Sequence, residues 1–306
     1  MAITSFDDIL VAAQTRGPRT VVAVGAAQDS VLGALDRAEK VGIAKAILIG
    51  SQSEIYKTAR TMDVDLSPMR IIDEPNLEEA AQIGMSLVNQ GEAQIAMKGN
   101  IRTAVFLRAA LDRSTGLRTG RLLSHVAIFD MLSLGRLLLI SDAGVNIAPT
   151  LEQKADITQN AIDVAHSLGI ERPRVAVLAS TENVVPNLPA NVEAAALSKM
   201  ADRGQITGAL VDGPLALDNA ISVDAASDKA IASRVAGRAD LLILPDIEAA
   251  NVLVKAIVYF ARRPMAGVVV GARAPLIVPS RADTAESKFD SLALGVTISA
   301  SYRFGT

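Results

Sequence analysis

Short β-rich runs alternate with stretches of helical periodicity along most of this chain, and that rhythm limits the fold more than any other feature. Thr20 to Ala27 reads TVVAVGAA, helical periodicity follows through Glu39, and Ala44 to Gly50 reads AKAILIG. A helix containing Glu54 to Met62 comes next, then RIIDEP, an amphipathic helix from Asn76 to Asn89, and the strand-like AQIAMKG from Ala93 to Gly99. Strand, helix and strand in this order make βαβ units, so the expected fold class is α/β, with mainly parallel sheets covered by helices. Such sheets need an aliphatic interior on both faces. The composition supplies one: half of the residues are apolar, aromatics make up only 3%, and Trp is absent.

At 306 residues the chain exceeds one comfortable small core and suits two lobes. The rhythm changes between Arg121 and Asn146, where LLSHVAIFDM and RLLLISDAGVN flank a short Leu-Ser-Leu-Gly link, the pattern of a hairpin. We expect a first α/β lobe from residues 1–120 with 278–306, and a second from 121–277. In the second lobe Thr150 is expected to cap a helix through Leu168, and RVAVLAS, QITGALVDGPL and ADLLILPD repeat the strand pattern. The terminal helix is expected to start near Thr284.

Several function classes drop out on composition. A formal net charge of −3 gives no strong electrostatic reason to bind nucleic acid or an anionic membrane surface. Zero Cys excludes disulfides, thiolate nucleophiles and Cys-type metal sites, and agrees with a cytoplasmic protein. The opening MAITSFDDIL carries acids where a secretory signal needs basic residues, and no apolar stretch reaches membrane-spanning length. His125, in a strand-like run, and His166, in a helix, lack triad or ligand spacing and read as structural; no metal is expected.

Three constellations can carry chemistry. In AMKGNIRTAVFLRAAL a strand ends at Lys98, Gly99 and Asn100 and a helix begins near Thr103, with Arg108 one turn further in. Backbone amides at a helix start, a Gly and nearby cations suit a small anion such as phosphate, although ordinary βα turns carry Gly and Thr as well. In APLIVPSRADTAESKFDSLALGV the strand ends at Ser280 and Arg281, and a guanidinium there can hold a phosphate or offset charge on an acyl oxygen. Asp283 and Glu286 stand at capping-box spacing, so a structural reading competes with a functional one for both. The third set is Asp142, Asn146, Asp212, Asp246, Asn251 and Lys255, polar residues after apolar strands, each of which also suits a turn or cap.

These motifs, together with GLRTGRLLSHVAIFDM, LLLISDAGVNIAPTLEQKADI, VAVLASTENV and DGPLALDNA, resemble in order the phosphate acetyl/butyryltransferase family. MKG, GLRTGRLLSHVA and SRADTAESK are more similar to its butyryl branch than to its acetyl branch. The resemblance implies an isocitrate-dehydrogenase-like fold with an interlobe cleft, usually a dimer or larger homo-oligomer, and no tightly bound cofactor. It implies acyl-CoA and phosphate as substrates and acyl phosphate and CoA as products, in short-chain fatty acid metabolism. Arg281 and Arg108 match family arginines associated with phosphate or CoA binding, and Ser280 matches a serine lining the same cleft. The acetyl branch has an Asp seven positions after that serine, proposed there as the base, where this chain has Ser287. Asp283 and Glu286 are the nearby substitutes, and a mechanism without a protein base stays open. Acetyl-CoA remains the alternative substrate to butyryl-CoA. A nicotinamide-dependent hydroxy-acid dehydrogenase of the same fold is a further alternative, but VAVGAAQ at Val22 to Gln28 lacks the later glycines of a dinucleotide fingerprint.

Overall fold

The computed structural model describes residues 3–300. The chain groups into two compact units, one formed by Phe6–Arg121 and the segment from Met265 onward, the other by Leu122–Pro264 and the residues before Phe6. In the first unit the chain runs through α1 (Phe6–Arg16), β1 (Arg19–Val24), α2 (Asp29–Lys40), β2 (Ala44–Gly50), α3 (Gln52–Met62), β3 (Arg70–Asp73), α4 (Leu77–Asn89), β4 (Ile95–Lys98) and α5 (Thr103–Ala110). β1 sits between β2 and β4 and is parallel to both, so Val21 through Val24 are buried without alternation. That is why this strand reads as a continuous apolar run. α2 presses Val31, Leu32, Ala34, Leu35 and Ala38 inward, and α4 is capped by Asn76, whose side chain accepts from the amides of Glu78 and Glu79.

The second unit holds β5 (Ser124–Met131), β6 (Arg136–Ser141), α6 (Leu151–Ser167), β7 (Arg174–Leu178), α7 (Pro189–Asp202), β8 (Leu210–Leu215), α8 (Leu217–Ile221), α9 (Val223–Asp228), β9 (Leu241–Ile243) and α10 (Ile247–Tyr259). β5 and β6 form the expected antiparallel hairpin, in register from Val126 opposite Ser141 to Met131 opposite Arg136. β6, β9, β7 and β8 then pair in parallel in that order. Thr150 caps α6 in a full capping box with Gln153. At the amino end of these strands the buried Asp240 accepts from the backbone amide, Nε and Nη2 of Arg174, all at 2.9 Å. That pairing ties the start of β7 to the start of β9.

The chain returns to the first unit with β10 (Met265–Val270), β11 (Leu276–Ile277) and α11 (Ala285–Ser299). β11 lies antiparallel to β10 and parallel to β4, with Leu276 opposite Ala96 and Ile277 opposite Met97. The order β3-β2-β1-β4-β11-β10 therefore brings the carboxyl ends of β1, β4 and β11 side by side. α11 packs against α1, α2 and β10 and buries every residue from Ser291 to Ile298. Among the described residues, no helix is long and apolar enough to cross a membrane.

Candidate active site

The β4–α5 junction is built around backbone contact. A Cβ on Gly99 would stand 2.2 Å from the carbonyl oxygen of Gly25, which follows β1, so no larger residue fits. The amide of Gly99 donates to the Val24 carbonyl at 2.8 Å and that of Asn100 to the Gly25 carbonyl at 2.7 Å. These amides hold the loop together and are not free for an anion, contrary to the simplest cradle. Arg102, not Thr103, occupies the N-cap of α5, and it makes no side-chain cap. Thr103 is the first helical residue and lies exposed with Ala104. Arg108 is one turn beyond Ala104 on the same exposed face, and long side chains in helices lean back toward the N-terminus.

Lys98 ends β4 and is 4% exposed. Its ammonium donates to the carbonyls of Gly99 at 3.2 Å and Ile101 at 3.1 Å. Burial pushes its pKa down, the charges of Arg281 and Lys288 push the same way, and Asp283 opposes them. Lys98 thus senses the neighbouring β11–α11 turn electrostatically.

In that turn Ser280 and Arg281 are exposed. The amide of Ser280 donates to Asp283 Oδ2 at 2.8 Å, and the amide of Asp283 donates back to the Ser280 carbonyl at 3.2 Å. Ser280 Oγ accepts from the amide of Ala282 at 3.3 Å. Arg281 therefore projects from a closed turn at the carboxyl edge of β11, and no carboxylate pairs with it among the described residues. The capping reading of Asp283 and Glu286 is corrected: Thr284 caps α11, accepting from the Ser287 amide at 3.1 Å. Asp283 is drawn onto Ser280 instead, and Glu286 reaches Arg37 of α2 at 3.8 Å. Ser287 Oγ donates to the Met265 carbonyl at 2.6 Å, so its hydroxyl is committed to the fold and cannot serve as a base.

The residues named in the second unit are largely engaged in structure. Asp142 is 5% exposed and accepts from the amides of Gly144, Val145 and Asn146 and from Asn146 Nδ2, which also reaches the Leu123 carbonyl. Asp212 lies inside β8 rather than after it, and takes bonds from the Gly213 amide and Ser233 Oγ. Asp246 is the N-cap of α10, accepting from Ala249 at 2.8 Å. Asn251 donates to the Ala143 carbonyl at 3.3 Å, and Lys255, one turn on, is exposed.

Residues 74–296 match the family model described as phosphate acetyl/butaryl transferase. This chain belongs to that family. It is 42% identical to the phosphate butyryltransferase of Clostridium acetobutylicum over 97% of this chain and 98% of the relative. It is 44% identical to the phosphate acetyltransferase of Thermotoga maritima, over 91% and 95% respectively. Among solved structures, the branched-chain phosphotransacylase from Enterococcus faecalis V583 superposes with a TM-score of 0.82 at 31% identity, covering 92% of this chain and 99% of that one. As a member of the phosphate acetyl/butaryl transferase family the chain is a phosphate acyltransferase, and the dehydrogenase alternative is not favoured.

One residue of this family member escaped the sequence reading. Lys288 is 1% exposed and donates to Ser30 Oγ at 2.8 Å and to the Asp283 carbonyl at 2.7 Å. It stood inside the SRADTAESK motif, but a Lys in the second turn of a helix reads as solvent-facing. The apolar run that follows it was the available signal that α11 is buried.

Proposed function

We propose that this chain transfers a short-chain acyl group between CoA and inorganic phosphate, with butyryl-CoA preferred over acetyl-CoA. The observation that carries the reading is Arg281, an exposed guanidinium with no carboxylate partner among the described residues, in the turn after β11, whose charge acts on the buried cation of Lys98. An oxygen of phosphate attacks the thioester carbonyl, a C–O bond forms, the C–S bond breaks, and acyl phosphate and the CoA thiolate result. Negative charge gathers on phosphate and on the carbonyl oxygen, and Arg281, with Arg108 and Lys98, offsets it. Ser280 Oγ, which accepts from the Ala282 amide, keeps its own proton to donate to the same anion. The proton released by phosphate ends on the departing sulfur, so the net step needs no base from the protein.

The butyryl preference is supported by the relatives named phosphate butyryltransferase, at 41–44% identity over nearly the whole chain. A second reading, acetyl transfer, is supported by the Thermotoga maritima relative. We place the protein in the cytoplasm, with CoA, acyl-CoA and phosphate as substrates and no resident cofactor. A homodimer or larger assembly is supported by apolar side chains left exposed on and just after α10: Val252 is 69%, Tyr259 65% and Phe260 89% exposed.

The test is release of free CoA thiol from acetyl-, propionyl- and butyryl-CoA, with and without phosphate. The chain has no cysteine to interfere. We expect phosphate-dependent release, fastest with butyryl-CoA. A higher kcat/KM for acetyl-CoA transfers the proposal to the acetyl reading, and no phosphate-dependent release from folded protein overturns it.

A further inference from the structure

Lys288 is a buried cation without an ion pair among the described residues. Lys154, buried in the second unit, is by contrast paired with Glu193. Lys288 also sits in the first turns of α11, where the helix dipole disfavours a positive charge. Burial pushes its pKa down, opposed only by Asp283. By burial and by helix dipole a Met of similar length would be the less costly residue to bury here, and only the two hydrogen bonds of the ammonium favour Lys.

What the ammonium supplies is geometry. It binds the carbonyl of Asp283, the residue whose carboxylate closes the turn on Ser280, and with a second proton it binds Ser30 Oγ in the first turn of α2. The turn that presents Arg281 is thereby tied to α2, an element it does not otherwise share backbone bonds with among the described residues.

We propose that Lys288 is a positioning residue for Arg281, holding the Ser280–Asp283 turn against α2 through the Asp283 carbonyl and the Ser30 hydroxyl. This rests on the reading of Arg281 as a phosphate-binding group. A guanidinium displaced by about 1 Å loses on the order of a hundredfold in rate, which sets the size of the effect.

The experiment measures kcat, KM for phosphate and KM for acyl-CoA in wild type, Lys288→Met, Arg281→Ala and the double variant, each with its thermal midpoint. We expect Lys288→Met to keep or raise the midpoint while kcat/KM for phosphate falls about tenfold to a hundredfold. KM for acyl-CoA should hardly change. In the Arg281→Ala background the same substitution should cost less than about threefold, because the residue it positions is gone. If Lys288→Met retains wild-type kcat/KM for phosphate, or if the two losses multiply, Lys288 does not act through Arg281. Should Lys288→Met fail to fold, Ser30→Ala removes one anchor with the cation in place, and the same non-additivity with Arg281→Ala decides. Wild-type turnover in Arg281→Ala would instead overturn the reading of the site itself.

Discussion

Asp283 and Ser280 bond each other twice across one turn, amide to carboxylate at 2.8 Å and amide to carbonyl at 3.2 Å, with Arg281 between them. A side chain that the sequence offers as a helix cap is thereby used to present the neighbouring guanidinium. Residues around this turn consequently separate into those that hold the fold and those that serve the reaction.

Arg281→Ala should lower kcat/KM for phosphate by about two to three orders of magnitude, the usual size for removal of one charge-stabilising donor. Arg281 is exposed, so the thermal midpoint should stay within about 1 °C of wild type. Thiol release and a melt on the same preparation check both.

Thr284→Ala and Asp283→Ala should part company. Loss of the Thr284 cap should cost about 1 kcal/mol, or about 2–4 °C in midpoint, with turnover within about twofold of wild type. Asp283→Ala leaves that cap in place but opens the turn, and should lower turnover about tenfold or more for a smaller loss of stability. Equal midpoint losses with equal turnover would show that the turn does not position Arg281.

Gly99→Ala should be the costliest small substitution in the site. Its Cβ would meet the Gly25 carbonyl oxygen at 2.2 Å and the Val24 carbonyl oxygen at 2.9 Å, both backbone atoms that no rotamer change can move. A destabilisation of about 3 kcal/mol is expected from denaturant unfolding, together with loss of turnover as Lys98 and Asn100 shift.

Asp290 on α11 gives the protein a pH dependence of stability. Burial pushes its pKa up to about 6, Glu286 adds to the rise, Arg37 opposes it and Asp7 adds a little. The folded chain therefore binds this proton more tightly than the unfolded one, so stability falls as pH rises from the ordinary aspartate range to about 6. Asp290→Asn should remove that slope and stabilise the protein at pH 7.5 by about 1–2 kcal/mol, less than the full shift implies because water screens a part-exposed carboxylate. Denaturant midpoints of both proteins at pH 5 and pH 7.5 measure it; an unchanged slope in the variant would assign the effect elsewhere.

Much of the architecture was legible because its causes are local. The aliphatic run TVVAV could only be a strand buried on both faces, the link after Met131 is too short for anything but a hairpin, and Thr150 with Gln153 has the spacing of a capping box. Arg281 and Ser280 could be picked out because they stand just beyond an apolar strand at the ligand edge of the sheet, although that strand ends at Ile277 rather than at Ser280.

The assignments that failed turn on choices a linear sequence leaves degenerate. Asp283 with Glu286 and Thr284 with Ser287 have the same cap spacing, and which pair caps α11 is decided by the Ser280 amide that captures Asp283. Asp142 and Asp246 each suited a turn or a cap in the sequence, and the structure distinguishes them: one organises a loop and the other starts a helix. The sequence by itself determined the alternation of strand and helix, the hairpin and the edge of the sheet at which ligands can bind, since these follow from periodicity and turn chemistry within a few residues. Only the tertiary structure decided that Lys98 and Lys288 are buried cations, the second bonded to the turn that carries Arg281, because burial depends on which elements pack over a side chain, and those elements lie far apart along the chain.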